Sequence, residues 1–453
     1  MTPIATNNSD RLRQLLDQLA AVERSPVVTG PAALALASDI PMQSTDVVAI
    51  YVRDDSVLPD WDTLTSSLNV TLVQTPDPEA AARAQAERTQ LRAWTLLAKP
   101  GEIAETLPGV REEIAEGSLR LREEPRRALH GQATKLLDLA VWAARTGLMP
   151  TANLVRQAQR DSGHVLGLDR ALWCERFGEL LTAWRASVGL RFLQEARILP
   201  LMVPEVSAMV DFHKSCRVHH KDIWDHTLQV VDKCPPSLAV RWTALMHDTG
   251  KVCTRTVSNK GKVHFFRHEE LGGSLMEGVA GRFHMDAALR DRIVYVISNH
   301  ARANVYATDW TDSAVRRLIK DMGDHLPDVI AFSRSDYTTK RAWRIKEVRA
   351  LADELVQRIA TVRAADARVP PLPKGFGNAV MATTGQPGGR WLGDLQRWLE
   401  AEVEAGRIDA GLEAERYLSY VREREPGLLT VARGATASRT TAATAPPRPP
   451  AAE

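Results

Sequence analysis

Leu12, Leu15, Leu16 and Leu19 recur at helical spacing, and this pattern predicts an amphipathic helix over residues 9–24. The runs SPVVTG, ALALA, VVAIYV and VTLVQT then predict strand, glycine-containing turn, short helix, strand and strand, a small α/β module. Beyond about Glu79 the pattern turns helical and rich in Arg, Ala and Leu, with Pro100-Gly101, Pro108-Gly109 and Pro125 as breaks. From Pro125 to about Glu205 the helical period is continuous, as in LLDLAVWAARTGL and LLTAWRASVGLRFLQEARIL. Segment 206–350 keeps that period and collects most of the histidines. A proline-rich break, RVPPLPKGFGN, precedes two more helical patterns, GRWLGDLQRWLEAEVEAGR and LEAERYLSYVRER. The final stretch, RGATASRTTAATAPPRPPAAE, has almost nothing to bury and is expected to be disordered. There is no internal repeat.

These patterns predict a multidomain, mainly α protein. A small α/β head spans 1–124 and a helical neck 125–205. A histidine-bearing helical domain covers 206–350, a C-terminal helical body 351–432 and a disordered tail 433–453. At 453 residues the chain exceeds what one hydrophobic core usually supports. Apolar residues make up 44% and charged residues 25%, a globular profile. A formal net charge of only +2 means that any nucleic-acid contact must use a local basic face. Cys174, Cys216, Cys234 and Cys253 are far apart with no CxxC pair, which argues for reduced thiols and against a cysteine zinc site. The first residues lack the basic start and apolar core of a signal peptide, and no apolar run approaches the ~20 residues that span a bilayer. The expectation is a soluble, cytoplasmic protein that does not enter the membrane.

Chemistry concentrates in six residues. They are His226 in DIWDHTLQVV, His247 and Asp248 in LMHDTGK, His268 in FFRHEELGG, His300 in VYVISNH and Asp336 in SRSDYTTK. Most lie at or near the end of a helical pattern, so several helices can converge on one pocket. Imidazole and carboxylate donors suit zinc, iron, manganese, nickel or cobalt, and the mixed set leaves the ion open, magnesium included. Consecutive helical residues point about 100° apart. His247 and Asp248 can therefore embrace one ion, or Asp248 can bridge two.

The ordered set H…HD…H…H…D resembles the signature of the HD superfamily of metal-dependent phosphohydrolases. HHKDIWDHTLQVV, LAVRWTALMHDTGK, HFFRHEELGG, WTDSAVRRLI, RSDYTTK and GFGNAVMATTGQPGGRWLGDLQRWLE resemble, in order, the C-terminal part of the actinobacterial-type CCA-adding tRNA nucleotidyltransferases of the poly(A) polymerase family. The resemblance covers roughly 125–425 and implies one or two divalent metal ions. His226, His247, Asp248 and Asp336 would be the primary ligands, and His268 and His300 would hold a second ion or a substrate phosphate. His247, Asp248 and Lys251 would be catalytic, with Lys251 about one turn past the pair and placed to touch a phosphate.

The same resemblance makes the first 124 residues a nucleotidyltransferase-like head whose chemistry is depleted. The family needs a Gly-Gly turn, an Arg-Asp, and two aspartates two positions apart on a strand. Here Pro31 follows Gly30, no Arg-Asp follows, and Val48 stands two residues after Asp46. Asp60-Trp61-Asp62 has the DxD spacing, but its context reads as a loop and helix N-cap. Lys340, Arg341 and Arg344 form a basic cluster suited to RNA phosphates. The leading expectation is an HD-type phosphohydrolase acting on a nucleotide or an RNA 3′ end, with tRNA as a candidate partner. The alternatives are an active CCA-adding tRNA nucleotidyltransferase and a non-catalytic tRNA-binding protein. Oligomeric state and the ion's identity are not set by the sequence.

Overall fold

The structure, a computed structural model, describes residues 4–22, 24–43, 46–53, 68–215, 222–260, 262–337, 339, 341–367 and 371–429. It is mainly helical with a small sheet region. The chain forms two compact units, residues 1–359 and 360–453. Among the described residues no helix is long and apolar enough to cross a membrane. Cys174, Cys234 and Cys253 are free thiols; Cys216 lies outside the described residues.

The first unit opens with helix α1 (Ile4–Ala21), whose Leu12, Leu15, Leu16 and Leu19 are all buried. Burial of each leucine contributes about 1.5–3 kcal/mol, which seats the helix on the sheet behind it. That sheet has the order β3-β2-β1-β4-β5: Asn69–Gln74, Val47–Val52, Val27–Thr29, Leu97–Lys99 and Glu102–Ala104. Only β2 and β3 are parallel. Alternation along the strands sends Val28, Val48, Ile50 and Ala98 toward α1 and helix α2 (Pro31–Ala37). Val27, Tyr51 and Leu97 face the helix Pro78–Arg88 through its Ala82 and Ala86. Strands β4 and β5 depart from the helical expectation after Glu79. Pro100-Gly101, read as a break, is the turn between them, with Gly101 at a φ of 72° that suits glycine.

Asp46 enters β2 buried, accepting a hydrogen bond from the Gln43 amide at 2.8 Å. Its carboxylate is ion-paired with Arg145, and the Arg145 guanidinium lies 5.6 Å from the Trp94 ring centre. Val48, two residues on, is in the core. The position expected of a first metal carboxylate is thus held by an internal cation. Arg145→Met should destabilise the head by about 2 kcal/mol, read as a shift in the urea midpoint. That is below the 3–5 kcal/mol of a fully buried pair because Arg145 is 28% exposed. An unchanged midpoint would mean that the pair contributes nothing. Asp60 and Asp62 lie outside the described residues.

Helix α3 (Ala133–Thr146) carries Arg145 and begins the neck, followed by α4 (Arg170–Thr182) and α5 (Ala186–Glu195). At Gly189 a Cβ would meet the Ala140 carbonyl at 2.5 Å, so α5 crosses α3 in backbone contact. Short strands β6 (Ser118–Leu119) and β7 (Met149–Pro150) pair in parallel beside it. The neck joins the next helices through aromatic packing: Phe177 stacks on Trp242 at 4.9 Å and meets Phe283 edge-on at 5.3 Å. Buried Arg241 ties the same two regions, donating from Nη1 to the carbonyls of Leu181 and Ala183 and from Nε to that of Cys234.

The second unit has its own small core. Phe376 and Val380, Leu395 and Leu399, and Tyr417, Leu418 and Val421 come from the helices Phe376–Thr384, Arg390–Glu404 and Ala414–Arg424 respectively.

Candidate metal centre

Five elements deliver the six candidate ligands. Helix α6 (Ile223–Lys233) is capped by Asp222, whose carboxylate accepts from the Asp225 amide, and its buried face carries His226. Helix α7 (Leu238–Met246) is buried on every side from Ala239 to Met246, so it runs through the core, and it ends in His247 and Asp248, both about 1% exposed. Thr249 closes that end by donating to the Met246 carbonyl at 2.7 Å. Helices α8 (His268–Arg282) and α9 (Ala287–Asn299) present His268 at a start and His300 just past an end. Helix α10 (Leu326–Ser333) leads into Asp336.

Glycines set these approaches. A Cβ on Gly250 would lie 2.1 Å from the His268 carbonyl oxygen, so α8 starts in backbone contact with the turn after Asp248. On Gly273 it would lie 2.5 Å from Ser298 Oγ, which brings α8 close to α9.

The side chains converge around Asp248. Its Oδ2 lies 3.3 Å from His247 Nε2 and 3.8 Å from His226 Nε2, while Oδ1 lies 3.8 Å from His268 Nε2. Asp336 Oδ1 is 3.2 Å from His226 Nε2 and 4.0 Å from His247 Nε2. The His247–His300 and His268–His300 ring centres are each 5.4 Å apart. Two triads of donor atoms share the Asp248 carboxylate: His226, His247 and Asp248, and Asp248, His268 and His300.

Backbone contacts orient the imidazoles. Nδ1 of His247, His268 and His300 lies 2.9, 2.9 and 2.7 Å from the carbonyls of Ala244, Phe265 and Ile297. An Nδ1–H donated to a carbonyl leaves the Nε2 lone pair aimed into the pocket, the tautomer that a metal takes. His247 Nε2 is buried with no hydrogen bond of good geometry, its neighbour Asp248 Oδ2 lying 3.3 Å away, and such an atom is what a cation would complete. The donor set therefore fits one or two divalent ions.

Protonation follows the surroundings. Burial pushes His300 down to about 4, helped by His247, so it is neutral at physiological pH. Burial likewise lowers His226. For His247 burial is outweighed by Asp248 and Asp336, and its pKa is raised. Burial alone would raise Asp248 and Asp336, but the histidines around them, with Lys251 beside Asp248, hold both carboxyls low. An incoming ion must then displace the His247 proton. Affinity for Mn²⁺ should fall by up to about tenfold per pH unit on acidification below the raised His247 pKa, the loss expected for one displaced proton. Calorimetric titration between pH 8 and pH 6 reads this; a flat affinity would contradict the assignment of His247 as a ligand.

Other residues singled out in the sequence sit differently. Lys251 does not reach outward for a phosphate: its Nζ lies 2.7 and 2.8 Å from the two oxygens of Asp248. Arg341 and Arg344 are exposed, and Lys340 lies outside the described residues. Asn304 carried no sequence signal, yet its Nδ2 donates to Asp336 Oδ2 at 3.0 Å and its Oδ1 accepts from Ser333 Oγ. That leaves Asp336 Oδ1 turned toward His226. Phe332 walls the cluster, its ring 5.1 Å from His247 and 5.6 Å from His300.

Fold and site together define a mainly helical, multidomain protein with a small mixed sheet and a buried His/Asp cluster. No protein-family model matches the chain. Over 264 residues it is 29% identical to the CC-adding tRNA nucleotidyltransferase of Thermus thermophilus, covering 55% of this chain and 56% of that protein. It is 25% identical over 256 residues to the A-adding tRNA nucleotidyltransferase of Deinococcus radiodurans, covering 55% and 57%. The chain is homologous to tRNA nucleotidyltransferases over this stretch, and it spans just over half the length of these curated relatives. A solved structure, the Bacillus stearothermophilus CCA-adding enzyme with CTP, aligns with 94% of this chain and all of that one at 13% identity and a TM-score of 0.42.

These relatives correct the hydrolase expectation. Their names are those of transferases, whereas the expectation of hydrolysis rests on the resemblance of the His/Asp set to the HD superfamily beside a depleted head. Such a set states which cations can be held, whereas the reaction depends on the groups that meet the substrate.

Proposed function

We propose that the protein acts at the 3′ end of tRNA as a nucleotidyltransferase, adding C or A from a nucleoside triphosphate. The observation that carries this is the similarity to a CC-adding and an A-adding tRNA nucleotidyltransferase over more than half of the chain. In such a transfer the RNA 3′ oxygen bonds to the α-phosphorus and pyrophosphate leaves. The reaction needs carboxylate-held divalent ions where charge builds on the phosphoryl oxygens. With Asp46 paired to Arg145 and Val48 two residues on, the one DxD spacing in the head sequence is that of Asp60 and Asp62.

The His226/His247/Asp248/Asp336 and His268/His300 set is proposed to hold one or two divalent ions. An ion held by these residues would supply Lewis acidity toward a phosphoryl group. The chain's own residues orient the imidazoles, keep the carboxylates ionised and, through Phe332, shield one wall. Arg341 and Arg344, with Lys340, are proposed to bind the RNA backbone. Trp343 beside them is 57% exposed, with Arg344 5.8 Å from its ring, a combination that suits stacking on a base.

A second reading, tRNA binding without transfer, is favoured by the Asp46–Arg145 pair and the burial of Val48. Incorporation of labelled CTP or ATP into 3′-truncated tRNA separates the two. Transfer that disappears in an Asp60→Ala/Asp62→Ala variant supports the first; tRNA binding with no incorporation supports the second.

A further inference from the structure

Between α7 and α8 the chain forms an antiparallel hairpin, β8 (Arg255–Val257) and β9 (Val263–Phe265), where the helical pattern had predicted no strand. From Thr249 to His268 there is no Asp or Glu, while Lys251, Arg255, Lys260, Lys262 and Arg267 supply five cations, in a chain whose net charge is +2. Lys251 is held by Asp248 and Arg267 by Glu270. Lys260 and Lys262 are exposed, and among the described residues neither has an ion-pair partner.

The hairpin is also two-faced. Strand alternation packs Phe265 against the core and turns His264 and Phe266 the other way. The His264 and Phe266 rings stack 5.2 Å apart and 9° from parallel. Phe266 is 67% exposed, more than any other large apolar residue among those described. An open aromatic plane backed by a second ring is poor use of a surface position in water, but it matches the face of a nucleobase. It stands two residues before His268, a span of at most about 7 Å along the backbone, and His268 Nε2 lies 3.8 Å from Asp248.

We propose that this hairpin is a docking site for the single-stranded 3′ end of tRNA. A base stacks on Phe266 and His264, and the adjoining phosphates meet Lys260 and Lys262. The inference rests on the tRNA reading above and adds where the end is held.

The test is fluorescence anisotropy with the full chain and two tRNA transcripts, one with its single-stranded 3′ end and one trimmed back to the duplex. Phe266→Ala should weaken binding of the intact tRNA by at least about fivefold and leave the trimmed tRNA unchanged, while Phe266→Trp keeps wild-type affinity. Lys260→Ala/Lys262→Ala, two exposed changes that do not threaten folding, should lower the slope of log Kd against log salt by about 1.4 for the intact tRNA. Wild-type protein that binds tRNA, with a Phe266→Ala variant that binds both transcripts as well as wild type or loses both equally, would overturn the hairpin site and leave the tRNA reading standing. Wild-type protein that binds neither transcript would overturn both.

Discussion

Asp248→Ala is expected to lower divalent-metal affinity by on the order of 100-fold or more. Losing a partner that merely supports a ligand costs about 10–100-fold, and Asp248 is the carboxylate that both donor triads share. Elemental analysis of the purified variant and calorimetric titration with Mn²⁺ read this directly. Asp248→Asn keeps the volume and removes the charge, which separates ligation from packing. Both variants should remain folded without metal, because the Thr249 cap, the Gly250 contact and the α7 core are untouched. Metal bound as tightly by Asp248→Asn as by the wild type would remove the cluster from the account.

Gly250→Ala should destabilise the first unit by about 3 kcal/mol or more. Overpacking commonly costs about 1–3 kcal/mol, and here the new methyl would sit 2.1 Å from a backbone oxygen and 3.0 Å from the Gly272 nitrogen, neither on a side chain that can swing aside. The relief available is a shift of the start of α8, which carries His268. The variant should therefore lose affinity at the Asp248/His268/His300 triad before the His226/His247/Asp248 triad. Two-step metal titration combined with urea unfolding checks both effects. Gly278→Ala on the same helix, where nothing lies within 4 Å of the new methyl, should show neither.

How legible all this was in the sequence depended on the residue. Helical periodicity marked α1, the neck and α7 because each buries a stripe or a whole surface, and β1–β3 showed as short β-branched runs between turn signals. Strands β4, β5, β8 and β9 did not, because each is three residues within a stretch of helical pattern and its pairing is set by tertiary contact. Histidine and aspartate at helix ends named the six cluster residues by type. Their common location comes from Gly250 and Gly273, whose close contacts only three dimensions show. Lys251 looked like a phosphate ligand because charge and position are visible in sequence while its partner is not; the structure pairs it with Asp248. Asp46 stood out, but the residue that neutralises it, Arg145, lies in another segment, and an arginine in a helical pattern carries no mark of a buried partner. Asn304 was invisible for the same reason.

Nucleotide addition to tRNA is read by incubating the full chain with Mg²⁺, labelled CTP and labelled ATP. The substrates are tRNA transcripts lacking the CCA end, lacking its final CA, or lacking only the final A. Incorporation into at least one transcript is expected, lost in the Asp60→Ala/Asp62→Ala variant. No incorporation into any of them, by protein that is folded and carries its metal, would contradict it.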